Sequence, residues 1–86
     1  MSDKIETRVI RLVRSLFLGG DQEIEVSEEM SLIDSGICDS MGLVQLATAI
    51  EKEFGGVRID DQDITHKAFG SVAAIARLLR KSGVAE

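Results

Sequence analysis

The residues of this sequence that could act at a reacting atom crowd into one place. Cys38, Asp39 and Ser40 are consecutive in "LIDSGICDSMGLVQL", residues 32 to 46, and the single histidine, His66, stands apart from them. A hydrolase would need Ser40, His66 and an aspartate to converge, yet no GxSxG turn surrounds the serine, and residue types alone do not make a triad. Cys38 has no activating partner near it in sequence and reads as a small, reduced, apolar-like side chain. His66, beside Lys67 in the connection before Phe69, reads as a solvated or capping histidine. One cysteine and one histidine make neither an internal disulfide nor a Cys/His metal set. What remains is a hydroxyl at a junction, because the polar, glycine-broken loop ends at Asp39-Ser40 and an apolar-periodic run begins at once. Asp or Ser at such a place is ordinary helix capping, with a functional serine as the other reading.

The elements that must position this junction are helical. The chain has 86 residues, with no proline, tryptophan or tyrosine and only three phenylalanines, so Ile, Leu, Val and Ala must build its core, a composition that favours helix over sheet. From about residue 3 to 18, Ile5, Val9, Leu12, Val13 and Leu16 fall at helical spacing, with Asp3 as N-cap and Glu6 three residues on. "GGD" at 19 to 21 stops this helix. Residues 22 to 38 form a long loop in which Ile24, Val26, Met30, Leu32 and Ile33 are apolar enough to be pinned to a core; such loops are often functional. The second helix spans about 40 to 54, with Met41, Val44, Ala47, Ile50 and Phe54 as one stripe, flanked by Leu43 and Leu46, and "GG" at 55 and 56 ends it. Val57 and Ile59 dock on the core, and a short helical turn is expected near 60 to 65. The last helix, about 71 to 81, starts at Ser71 as N-cap; Val72, Ile75, Ala76 and Leu79 form its buried face, while Arg77, Arg80 and Lys81 lie outside, near the C-terminus where cations suit the dipole. The expected fold is all-α, a small four-helix bundle forming a single domain over residues 1 to 86. There is no internal repeat and no low-complexity segment.

Charge is distributed unevenly along this frame. Residues 1 to 18 carry +2, residues 19 to 63 carry −10 and residues 64 to 86 carry +3, so Ser40 sits in the acidic middle. That field repels nucleic acid and anionic lipid and attracts basic protein surfaces; it also simply keeps a small domain soluble. No apolar run approaches the roughly 18 residues of a membrane span, and "MSDKIETRV" lacks the apolar core of a signal peptide, so a cytoplasmic location without membrane insertion is expected. A chain of this length has little room for a deep substrate cleft, which argues against a catalyst.

"DSGICDSMGLVQLATAIEKEFG" resembles the carrier protein family: acyl carrier proteins, the peptidyl carriers of amino-acid assembly lines and freestanding D-alanyl-type carriers. The resemblance rests on Asp39-Ser40-Met41, on Asp34 and Gly36 upstream, on the helix ending "EKEFG", and on Phe69, Ser71 and Val72 at the last helix; it covers about residues 3 to 80. It implies that Ser40 takes a 4'-phosphopantetheine arm whose thiol holds acyl or aminoacyl groups as thioesters for partner enzymes. It also implies that Asp39 orients the hydroxyl or helps hold magnesium for the phosphopantetheinyl transferase that installs the arm; N-capping explains Asp39 equally well. Met41, with Leu43 or Val44, would flank the arm with apolar surface.

Two departures narrow the sub-family. The outer face of the second helix, which is strongly acidic in fatty-acid carriers, here shows Gly42, Gln45, Thr48 and Lys52, leaving Glu51 and Glu53. "GICDSMG", with an extra residue between Gly36 and Asp39, looks more like the "GLLDSMG" of freestanding D-alanyl-type and other specialised carriers. Gly42 costs about 1 kcal/mol against alanine within a helix; either a partner approaches the backbone there or a terminal turn tolerates it. Met41, Gly42, Gln45, Glu51 and Lys52 are the expected partner-facing residues.

The resulting expectation is a freestanding, monomeric carrier, not an enzyme. Its partners would be a phosphopantetheinyl transferase, an acyl or aminoacyl ligase, and downstream transferase or synthase enzymes, in lipid or secondary-metabolite biosynthesis. Two rivals stand beside it: an aminoacyl carrier loaded by an ATP-dependent ligase, and an unmodified helical adaptor whose acidic middle binds a basic protein.

Overall fold

The computed structural model describes residues 4–19, 26–55, 57–65 and 69–84. Among these the protein is all-α, with three α-helices, α1 (Ile5–Phe17), α2 (Ser40–Glu53) and α3 (Val72–Lys81), and a single 3-10 turn at Asp61–Asp63. The expected turn near 60 to 65 is thus present, but only as one 3-10 turn, too short to count as the fourth helix of a four-helix bundle. Asp3, Ile24, His66 and Lys67 lie outside the described residues, as do Gly20, Asp21 and Gly56 of the expected helix stops.

α1 is the central element, packing against both α2 and α3. Its Ile5, Val9 and Val13 are fully buried, three members of the expected stripe at four-residue steps. Leu12 is half-buried, and Leu16, expected on the same stripe, is 43% exposed. Periodicity assigns a residue to a face; it does not say how far along the helix the neighbours extend. Lys4 occupies the N-cap position with no side-chain cap bond, and Glu6 is instead held by Arg80 of α3 through two bonds of 2.7 and 2.8 Å. At the same end of the bundle Arg8 reaches Glu53 of α2 at 3.1 Å and lies 4.1 Å over the ring centre of Phe54. α1 therefore runs antiparallel to both partners, its N-terminal turns beside their C-terminal ends.

α2 is rotated relative to the expected stripe. Leu43, Leu46, Ala47 and Ile50 face the core, whereas Met41 is 71% and Val44 48% exposed. The first three turns of α2 are apolar nearly all round, so two overlapping stripes fit a 3.6-residue period; the one that meets α1 wins. The buried face of α3 is as expected, Val72, Ile75, Ala76 and Leu79, because there only one stripe is apolar. Gly19 and Gly55 follow α1 and α2 with positive φ, consistent with their reading as helix stops.

The long loop is tied down at several points. Val26 and Leu32 are buried, and Met30 and Ile33 pack partly against the core. Backbone bonds anchor it to the start of α3: the Leu32 N–H donates to the Gly70 carbonyl at 2.8 Å and the Ala73 N–H to the Glu28 carbonyl at 2.7 Å. The loop then turns back, the Gly36 N–H donating to Ile33 and the Cys38 N–H to Leu32. Gly36 makes this turn at φ 83°, a conformation that side-chain-bearing residues rarely adopt. No helix among the described residues is long and apolar enough to cross a membrane.

Candidate functional site

At the start of α2, Asp39 is the N-cap. Its backbone is extended (φ −106°, ψ −172°), its Oδ1 accepts the Gly42 N–H at 2.8 Å, and its carbonyl accepts the Leu43 N–H at 3.2 Å. The cap function that Asp or Ser could serve at this junction therefore falls to Asp39, and Ser40, the first helical residue, is exposed with no capping task. Helix geometry leaves the N–H groups of Ser40 and Met41 without intrahelical acceptors, at the positive end of the helix dipole. An anion bonded to the Ser40 hydroxyl would lie beside them.

The other expected site residues are placed unevenly. Met41 and Gln45 are exposed beside Ser40, and Lys52 is exposed at the far end of α2. Gly42, expected on the outer face, is buried. A Cβ built on it would lie 2.7 Å from the Cys38 Cβ and 3.1 Å from the Phe17 ring, so its lack of a side chain is what lets α1 and the loop close on the first turn of α2. Glu51 is half-buried and accepts the Ile59 N–H at 2.7 Å, which ties down the segment after α2 and leaves Glu51 little part in an outward face. Glu53 is engaged by Arg8. Leu43, a candidate to flank an arm, is buried; Val44, its alternative, is exposed.

Beside the first turn of α2 lies an open cleft of about 660 Å³, lined by Phe17 of α1, by Ile33, Gly36, Ile37 and Cys38 of the loop, and by Asp39, Met41, Gly42 and Gln45. Phe17, Ile33 and Ile37 were not among the expected site residues, although Ile37 lies within "GICDSMG" and Ile33 was expected on the core; the hint for Phe17 is an aromatic residue at the end of α1 off its buried stripe. Burial first, and then the negative charge of Asp39, push the Cys38 thiol up from its ordinary range. It stays protonated and is a poor nucleophile. Glu28, Glu29 and Asp34 are exposed along the loop that leads to Ser40, and Asp39, its exposed neighbour, adds a further acidic group. Among the described residues no group of three or more His, Cys, Asp or Glu side chains gathers to hold a metal ion.

An exposed primary hydroxyl, free of capping and set at a helix N-terminus, is the chemistry a phosphodiester attachment requires, so these residues fit a phosphopantetheine group. The family described as "Phosphopantetheine attachment site" matches residues 8–79. An acyl carrier protein of Thermotoga maritima is 47% identical over 45 residues, a match covering 52% of this chain and 54% of that protein. The match thus spans about half the length of that relative. No solved structure matches the chain. With residues 8–79 of the chain matched, the chain belongs to the phosphopantetheine attachment site family, whose cofactor is covalently attached 4'-phosphopantetheine.

Proposed function

We propose that the chain is an acyl carrier protein that accepts its arm on Ser40 and presents acyl or aminoacyl thioesters to partner enzymes. The observation that carries the reading is the division of labour at the start of α2, where Asp39 Oδ1 takes the cap bond and leaves the Ser40 hydroxyl exposed. In the loading step the Ser40 oxygen bonds to the phosphorus that bears the pantetheine half of coenzyme A. The adenosine bisphosphate half leaves, and the hydroxyl proton passes to a base of the phosphopantetheinyl transferase. The arm supplies a thiol for thioester chemistry; the chain's own residues hold the attachment point outward and surround it with a recognisable surface.

That surface includes the exposed apolar groups Met41 and Val44 and the exposed acidic Asp39, and the loop leading to it is acidic in sequence. It suits partners that present a basic rim around an apolar contact: the transferase, an acyl or aminoacyl ligase, and a downstream transferase or synthase. With Gly42 buried and Glu51 occupied by Ile59, Met41, Val44 and Gln45 take over the recognition role. The single-domain organisation of residues 1 to 86 and a monomeric state belong to the same proposal. Incubation with coenzyme A, magnesium and a broad-specificity phosphopantetheinyl transferase should add the mass of one phosphopantetheine group. Ser71→Ala should be loaded like wild type and Ser40→Ala should gain nothing. Failure of wild type with several such transferases would sink the proposal.

A further inference from the structure

The cleft beside the first turn of α2 is bounded by the end of α1, the loop and the start of α2, and attachment of an arm to the exposed Ser40 hydroxyl does not account for it. We infer that it is a resting site for the protein's own pantetheine arm, holding the arm along the surface and not in the core; this rests on Ser40 being the attachment point. Three observations carry the inference. Asp39 and Met41, the two neighbours of Ser40, both line the cleft, so cleft and attachment point are continuous. Its walls match the arm in chemistry. Phe17, Ile33 and Ile37 offer apolar surface to the arm's gem-dimethyl and methylene groups, and the exposed amide of Gln45 offers a donor and an acceptor to its two amides. Gly42 keeps the floor low, since any side chain there would meet Cys38 and Phe17 at 2.7 and 3.1 Å.

Tethering makes a weak site sufficient. A short flexible linker holds its ligand at an effective concentration on the order of mM, so a cleft with an intrinsic dissociation constant of about 1 mM would be filled about half the time. Free pantetheine at micromolar levels would leave it empty. Half-occupancy also suits a carrier, because the arm must leave for each partner.

The test compares amide spectra of the apo protein and of the holo protein, with Ser40 loading verified by mass. Holo protein should show shifts at Ile33, Ile37, Phe17 and Gln45 in addition to those at residues 39 to 41. Ile37→Gln, which removes apolar surface from the cleft wall, should abolish the shifts at Ile33 and Phe17 while those at 40 and 41 persist. Holo shifts confined to residues 39 to 41, or shifts running instead through Ala47, Ile50 and Ile75 of the core, would overturn the inference and leave the attachment reading intact. Absence of the mass gain would overturn the attachment reading itself. The wild-type comparison needs no variant to fold.

Discussion

The first turns of α2 and α3 are built from the same parts and used in opposite ways. Each follows an extended residue whose side chain caps the helix, Asp39 to Gly42 at 2.8 Å and Ser71 to Ala74 at 3.1 Å. At α3 the serine is itself the cap, the next residue, Val72, is fully buried, Phe69 is fully buried just before it, and the loop covers this end of the helix through the Ala73 to Glu28 bond. At α2 the cap is the aspartate, the serine follows it, and the next residue, Met41, is 71% exposed. Moving the cap one position upstream converts a structural serine into an available one. A serine at a helix start is therefore read by asking which side chain holds the orphan N–H groups, and the serine's own presence is the weaker signal.

This contrast between the two helix starts can be broken in several ways. The largest effect is expected from Phe69→Ala, which should destabilise by about 3 to 5 kcal/mol, against under about 0.5 for Met41→Ala at the open start of α2. Urea midpoints measure both, and similar losses would mean that the first turn of α2 is packed after all. Gly42→Ala comes next. Overpacking costs about 1 to 3 kcal/mol, and the Cβ of Cys38 is fixed close to its backbone and cannot swing aside as a flexible chain end would. The propensity gain of about 1 kcal/mol offsets only part of this, so the midpoint should fall; a raised one would show that the loop gives way freely.

Smaller and matched losses should come from the caps. Asp39→Ala and Ser71→Ala should each cost about 0.5 to 2 kcal/mol, whereas Ser40→Ala should leave the melting temperature nearly unchanged. A Ser40→Ala loss equal to that of Ser71→Ala would assign Ser40 a cap role that the geometry gives to Asp39. The smallest effect lies at the opposite pole, away from both of these helix starts. The hydrogen bonds from Arg80 hold the Glu6 carboxyl below its usual range. A carboxyl whose folded pKa is depressed contributes stability that is present above its unfolded value, about 4.3 for glutamate, and is lost as pH falls through the folded value. Glu6→Gln should therefore be slightly less stable than wild type at neutral pH and converge with it on acidification; a gap that widens toward low pH would contradict the pairing.

Much of this was legible in the residues alone. The apolar stripe of α3, its Ser71 cap and the three helical spans follow from local rules, because propensity, capping and periodicity act within a few residues of one another. Asp39-Ser40-Met41 marks the proposed attachment point for the same reason: it is a contiguous pattern. What the sequence left open was decided by contacts between segments far apart in the chain. α2 is apolar on too many sides for periodicity to choose its buried face, and only its packing against α1 turned Val44 outward and Leu43 inward. Gly42 looked like a surface position until Phe17, 25 residues away in the chain, proved to close on it. The bond that Glu51 accepts from the Ile59 N–H joins positions eight apart, beyond the reach of any helical spacing rule. The cleft exists only because the end of α1, the 33–38 loop and the first turn of α2 meet, and no local rule acts across such separations. Steric fit between elements settles them, and it is visible only when the chain is folded.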